Sequence, residues 1–350
     1  MKVRKKEVFF YFIKEKNGEV RMKPKEIIKK NLTFSDAPRF GLAFDRQRLN
    51  DFVFAGFSAS ASWKQRRWEE NGVEYYDDEW GNIWHRIKNR SNIGEIYKPV
   101  LSDWEDLKNL KLPDLAAPER YQKAQQVFKQ NQDLYHVGTL AFPFGICRYM
   151  RKMEIYFQDL YLERKKIDEL HDRITSLLES VIEQYANIGA DGIFFCEDWG
   201  LQNCLMIRPS LWREVFKPLY QRLCYKAHHH NLLVLMHSCG YIWEIMEDLA
   251  EVGINCFQFD QPELYGLEQL AVRLRELKVC LFSPVDIQKI LPTGNKELIR
   301  KEAKKMVELF SRQNGAFIAK NYGDFVGIGI KPEWDQWAYE AFIEEIEKIE

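Results

Sequence analysis

The chain has 350 residues, of which 46% are hydrophobic and 14% aromatic, enough to bury a large core. Its 51 Lys and Arg nearly balance 52 Asp and Glu, for a formal net charge of −1, which argues against nucleic-acid and membrane-surface partners. The seven cysteines (147, 196, 204, 224, 239, 256 and 280) are odd in number and form no Cys-x-x-Cys pair. Reduced thiols in a cytoplasmic protein are therefore expected rather than a disulfide framework.

In chain order, the basic residues Lys2, Arg4, Lys5 and Lys6 precede only VFFYFI, too short an apolar run for a signal peptide or a membrane span. The run RFGLAFD (39–45) supplies a first strand. Residues 46–130, rich in Trp, Tyr and charge, read as a long excursion after that strand, with room for a hairpin, packed near a barrel mouth. From about residue 130, YHVGTLA (135–141), DGIFFCE (191–197), NLLVLMH (231–237), NCFQFD (255–260), KVCLFS (278–283) and GAFIAK (315–320) have the continuous apolar character of strands covered on both faces. Helical periodicity fills 167–188, 210–229, 241–251, 265–276 and 296–312. Gly189 and Gly253 stand at helix C-caps, and Pro209 with Ser210 at a helix start.

Repeated strand–helix units mean a parallel sheet, either open or closed. No Gly-x-Gly-x-x-Gly follows any strand, which removes the main sign of a dinucleotide-binding open sheet. The fold expected is α/β, a (β/α)8 TIM barrel, as one domain over residues 1–350 with 1–35 as an N-terminal extension.

The stretch LLVLMHSCG (232–240) carries chemistry. Side chains i and i+2 of a strand share a face, so His237 and Cys239 converge just beyond the strand's C-terminal end, where barrel enzymes build their sites. An imidazole and a thiolate at that separation suit Zn²⁺. A free cysteine is also commonly a small buried hydrophobe, and a single His-x-Cys pair is a weak pattern that needs a third ligand. His228, His229 and His230 cannot close on one ion, because consecutive helical residues point about 100° apart; they cap carbonyls or face solvent at a helix end.

Three longer stretches, DGIFFCEDWGLQNCLMIRPSLWREVFKPLY, HSCGYIWEIMEDLAEVGINCFQFDQPE and SPVDIQKILPTGNKELIRKEAKKM, occur in consistent order. DEWGNIW followed by LSDWEDLKNLKLPDL adds to them. Together they resemble the uroporphyrinogen decarboxylase superfamily, closest to its branch of cobalamin-dependent, zinc-using methyltransferases, over roughly residues 130–345. The resemblance implies a (β/α)8 barrel with its site at the C-terminal mouth and His237 and Cys239 as two of three zinc ligands. The third ligand of that branch is a late cysteine, but AKNYGDFVGIGIKPEWDQ contains none, so either Asp324, Tyr322 or a cysteine from another strand, such as Cys196, completes the site, or zinc is not bound.

The resemblance further implies a methyl group moved between a corrinoid (methylcobalamin), carried by a partner protein, and a small thiol activated by zinc. A homodimer is admitted; nucleic acid and membrane are not expected as partners. Decarboxylation of a tetrapyrrole, with Asp45, Arg46 and Arg48 around the substrate, is the alternative, although FDRQRLN lacks the Ala-Gly-Arg that completes the decarboxylase signature. A non-catalytic corrinoid- or porphyrin-binding barrel is a third reading.

Other polar residues at strand ends are weighed for the same mouth. Asp198, Asp286 and Lys320 are candidates for catalysis, and Lys320 would need a carboxylate partner, Asp286 or Asp198. Gln202, Asp260, Gln261, Gln288 and Tyr322 are candidates for substrate contact or support of a ligand. Trp63, Trp80 and Trp84 could cover a flat cofactor, but ordinary packing is the preferred reading.

Overall fold

A computed structural model describes residues 11–15, 18–45, 47–88, 94–312 and 316–348, with the backbone alone up to residue 21. Eight strands form one parallel sheet: Gly41–Ala43, Phe52–Gly56, Tyr135–Ala141, Gly192–Cys196, Leu233–His237, Cys256–Gln258, Cys280–Ser283 and Phe317–Lys320. The second strand pairs with the third and the order then runs through to the eighth, which pairs with the first. Between the first and second strands no ladder forms. The connecting segment instead bridges Ala43 to Asn50, and the Asp51 amide donates to the Leu42 carbonyl at 2.7 Å. The result is a nearly closed (β/α)8 barrel.

Alternation along each strand sorts the core into two layers. Phe52, Tyr135, Val137, Leu235, Cys256, Cys280, Phe282 and Ile318 fill the barrel interior. Their neighbours Ile193, Phe195, Val234, Met236, Phe257, Leu281 and Phe317 face the surrounding helices. Helix Pro24–Leu32, within the segment read as an N-terminal extension, adds Ile28 and Leu32 to the interior cluster and contacts the first, third and eighth strands. Where strands one and two meet, Arg39 and Asp51 form a buried two-point ion pair, 2.7 Å at each contact.

Helices form in each of the stretches that carry helical periodicity. The stretch expected at 210–229 divides into Pro209–Val215 and Lys217–His229. Pro218 has no N–H for the Glu214 carbonyl, which accounts for the restart. Gly189 and Gly253 follow helix ends with positive φ, 86° and 108°. His228–His230 end a helix, and His228 Nε2 meets Asn255 Oδ1 at 3.2 Å. No helix among the described residues is long and apolar enough to cross a membrane.

The 46–130 region is richer than an excursion with a hairpin. It contains the second barrel strand, overlooked because FVFAG is five residues long and set among polar turns. From the C-terminal end of that strand the chain enters a four-stranded antiparallel sheet: Arg67–Glu70, Val73–Asp77, Ile83–Ile87 and Glu95–Lys98. Trp84 packs on Tyr76 and Tyr149 and donates to Asp78 at 2.7 Å, while Trp80 packs against the main core. Both rings take part in packing. Arg120 clamps Glu79 with two bonds of 2.6 Å, tying the sheet back to the barrel.

Candidate metal centre

The C-terminal ends of the fourth, fifth and sixth strands are in register, with Cys196 opposite His237 and His237 opposite Gln258. Period-two counting carries the same face outward to Asp198, Cys239 and Asp260. Asp198, His237 and Cys239 meet there, with one donor atom from each lying within 4.8 Å of the others, the sole such cluster of three or more His, Cys, Asp or Glu side chains among the described residues. His237 Nε2 lies 3.2 Å from Cys239 Sγ and 3.3 Å from Asp198 Oδ1. Asp198 Oδ1 also accepts the Cys239 amide at 3.0 Å, which locks the two strand ends together.

His237 Nδ1 contacts Gln258 Oε1 at 2.6 Å, and Gln258 Nε2 donates to Asp260 Oδ1 at 2.7 Å. Because Asp260 as a carboxylate only accepts, the amide orientation is set: its NH₂ faces Asp260 and its oxygen faces the imidazole. His237 must then carry a hydrogen on Nδ1, so Nε2, which faces Asp198 and Cys239, is the nitrogen open to either a proton or an ion. That is the tautomer of a ligating histidine.

Electrostatics agree. Burial would lower the His237 pKa, but hydrogen bonds to Asp198 and Cys239 outweigh it and raise it well above the usual range. Burial would raise Asp198, yet bonds from His237 and the Cys239 amide hold it down at about 2. One imidazole is thus pressed against a carboxylate and a thiol, and a proton or a cation must neutralise the junction. Nitrogen, sulfur and oxygen donors of this kind are the set Zn²⁺ accepts, and three protein ligands leave a position open at the mouth. The residues fit the ion that the sequence implies.

The turn after Cys239 is tight. Gly240 has φ 74°, and a Cβ there would overlap the Gly200 carbonyl. Tyr265 donates to the Gly240 carbonyl at 2.6 Å, and the Gly200 amide donates to the Cys239 carbonyl at 3.1 Å. Gly240→Ala is therefore expected to pull the Asp198 and Cys239 loops apart. Backbone strain alone costs about 1–3 kcal/mol. The check is paired thermal melts and metal titrations, both lowered relative to wild type.

Glu197, beside Asp198, points away from the mouth and is fully covered. It accepts the Gly145 amide at 2.6 Å and the Asp198 amide at 3.1 Å, with Arg148 at 3.7 Å. Burial pushes its carboxyl up to about 8 against these partners. It anchors the Asp198 backbone to the first turn of helix Pro143–Arg151.

The other expected residues fall into distinct places. Cys196 faces the mouth in register with His237, its thiol pKa raised chiefly by burial, but it does not belong to the three-ligand cluster. Asp324 lies exposed in the late loop, where it accepts the Gly327 amide at 2.8 Å, and it too is outside the cluster. The third donor position expected at Cys196 or Asp324 is occupied in this geometry by Asp198. Lys320 pairs with Asp260 at 2.9 Å rather than with Asp286 or Asp198. Asp286 is buried and accepts the backbone amides of Glu263, Gln288 and Lys289 at 3.0, 2.8 and 2.6 Å, which organises its loop. Gln261 and Gln288 bond each other at 3.0 Å on the exposed rim, and Gln202 is exposed in the loop after Asp198. Tyr322 overlooks the cluster: burial, then the charges of Asp260 and Cys239, raise its pKa.

Sequence reading missed Gln258 and the floor of the mouth. Phe54, Phe194 and Phe282 meet across the interior, with Phe54 at 5.9 Å from Phe194 and 6.4 Å from Phe282, and Phe54 is still 39% exposed. For Gln258 a signal was present, since it stands two residues before Asp260 and so shares its face.

A barrel of eight parallel strands with a metal-competent donor set at its C-terminal mouth defines the class of protein. The chain belongs to the uroporphyrinogen decarboxylase (URO-D) family, whose model matches residues 87–349. Among solved structures, a methyltransferase from Methanosarcina mazei is similar at a TM-score of 0.56 and 17% identity, covering 74% of each chain. A D-psicose 3-epimerase from Clostridium cellulolyticum H10 gives a TM-score of 0.41 at 10% identity, over 70% of this chain and 86% of that one. An endo-β-1,4-xylanase from Gloeophyllum trabeum gives 0.39 at 11% identity, over 63% and 77%. The likeness to the methyltransferase concerns the fold alone. A comparison with curated proteins found no match.

Proposed function

We propose that this protein is a zinc-dependent methyltransferase that moves a methyl group between a corrinoid and a small thiol. The observation that carries the reading is the convergence of Asp198, His237 and Cys239 at the mouth, with His237 Nε2 turned toward the other two donors. Bound there, Zn²⁺ would supply Lewis acidity that lowers the pKa of a thiol from about 8.5, so that thiolate exists at neutral pH.

The chain's own residues do the rest. Asp198, His237 and Cys239 hold the ion, and Gln258 orients the His237 ring. The Phe54, Phe194 and Phe282 floor excludes water from the inner side of the mouth. Displacement by a thiolate depends on alignment and an anionic nucleophile more than on proton transfer, so no general base is required of these residues. The methyl donor in this reading is methylcobalamin on a separate corrinoid protein, supported by the resemblance to the methyltransferase branch.

Tetrapyrrole decarboxylation fits less well. Arg48 is engaged by Asp45 at 2.9 Å and by Asp335 at 2.7 Å, and Arg46 lies outside the described residues. A substrate with many carboxylates requires fixed, unengaged guanidinium groups. The test is incubation of zinc-loaded protein with methylcobalamin and 2-mercaptoethanol, following the cobalamin spectrum and the methyl thioether. Zinc-dependent thioether formation is expected. Coproporphyrinogen formed from uroporphyrinogen, or tight cobalamin binding without turnover, would replace the reading with decarboxylation or with a carrier.

A further inference from the structure

We propose that Lys320 is a positioning residue that fixes His237 in its metal-binding tautomer, acting through Asp260 and Gln258. The inference rests on reading Asp198, His237 and Cys239 as a metal site, and it adds a residue from the far side of the barrel to that site.

The chain of bonds has one polarity from end to end. The Lys320 ammonium can only donate, and its Nζ lies 2.9 Å from Asp260 Oδ1. Ionised Asp260 can only accept, and it takes Gln258 Nε2 at 2.7 Å. The Gln258 NH₂ then faces Asp260, so Oε1 is what the amide offers His237 Nδ1 at 2.6 Å. A hydrogen on Nδ1 follows, which makes Nε2 the nitrogen that can give its lone pair to an ion. The four residues come from the fifth, sixth and eighth strands and the turn that follows the sixth, and Lys320 stands at the donating end of the row.

The surroundings explain why a cation is needed. Gln258 and Asp260 are both buried. The Lys320 ammonium is itself nearly covered, 5.7 Å from the centre of the Phe282 ring and 5.9 Å from that of Tyr322. Without the ammonium, Asp260 would be a buried carboxyl with no counter-charge, a setting that favours its neutral form. A neutral carboxyl both donates and accepts, so it no longer dictates which end of the amide it meets. The Gln258 amide could then present its NH₂ to Nδ1, which would move the ring hydrogen to Nε2 and block the ligand atom. The second partner of a ligating histidine commonly matters 10- to 100-fold in metal affinity; here that control is relayed from a lysine two residues further along the row.

The experiment measures zinc affinity by competition with a chromophoric chelator in wild type, Lys320→Met, Lys320→Arg and His237→Ala. The same proteins loaded with Co²⁺ are examined by proton NMR for the exchangeable ring N–H of the ligating histidine. Lys320→Met should bind zinc roughly 10- to 100-fold more weakly and lose that N–H signal, and Lys320→Arg should restore most of both. If the methionine variant does not fold, Lys320→Gln, which keeps a donor but no charge, is expected to behave the same way. Zinc affinity and N–H signal unchanged in the uncharged variants would overturn the inference while the metal site stands. Zinc binding absent from wild type, or undiminished in His237→Ala, would instead overturn the metal-site reading, and the inference with it.

Discussion

Alanine at His237, Cys239 or Asp198 is expected to take bound zinc from stoichiometric to near zero, while alanine at Cys196 or Asp324 leaves it intact. Each of the first three supplies one donor to a cluster no wider than 4.8 Å, and the loss of one leaves too few ligands for a stable site. The effect should exceed the roughly 10- to 100-fold that follows from disturbing a ligand's supporting partner. Asp198→Ala has a second consequence, because the Cys239 amide loses its acceptor at 3.0 Å and the turn loosens. Asp198→Asn keeps an acceptor for that amide and separates the two effects: near-normal melting with weakened zinc binding is expected. Elemental analysis of the five alanine variants after dialysis, with circular dichroism to confirm folding, checks the series. Zinc lost from Cys196→Ala as completely as from Asp198→Ala would return the third-ligand role to the cysteine.

The second large effect is on stability. Asp51→Ala should destabilise the barrel by about 3–5 kcal/mol, because it breaks a buried ion pair by removing the carboxylate that takes two bonds from the Arg39 guanidinium. Arg39 makes two bonds of 2.7 Å to Asp51, and the Leu42 amide donates to the same carboxylate at 2.8 Å. This is the join where the first two strands lack a ladder, so the ion pair stands in for the missing hydrogen bonds. The double variant Arg39→Met with Asp51→Leu removes both charges and should recover part of the loss, since a buried pair is often replaceable by apolar groups. Urea unfolding midpoints measure both. An Asp51→Ala midpoint equal to wild type would show that the strand join is held otherwise.

Much of this was legible in the residues. Continuous apolar runs gave six of the barrel strands because strands covered on both faces bury every side chain, and such runs stand out from amphipathic helices. The second strand was not legible: of Phe52–Gly56 only Phe52 is buried, and Phe54, on the same face, opens onto the mouth, so no continuous apolar run stands out. His237 and Cys239 were legible from their two-residue spacing at a strand exit. Asp198 was placed on the right face, but its meeting with His237 and Cys239 was not, because a strand's own period says which way a side chain points and nothing about which neighbouring strand it meets. That depends on inter-strand register, here Cys196 opposite His237, which no single sequence states. The partner of Lys320 was hidden for the same reason, as Asp260 lies 60 positions earlier. Asp286 looked like a mouth carboxylate, yet three backbone amides at one turn claim it, a local capping use that Asp residues commonly serve.

X-ray absorption at the zinc edge of the loaded wild-type protein tests the account most directly. One sulfur at about 2.3 Å with nitrogen and oxygen neighbours at about 2.0–2.2 Å is the expected shell, matching Cys239, His237 and Asp198. A shell with two sulfurs would draw Cys196 into the site, and one with none, or a protein that retains no zinc at all, would contradict the central claim.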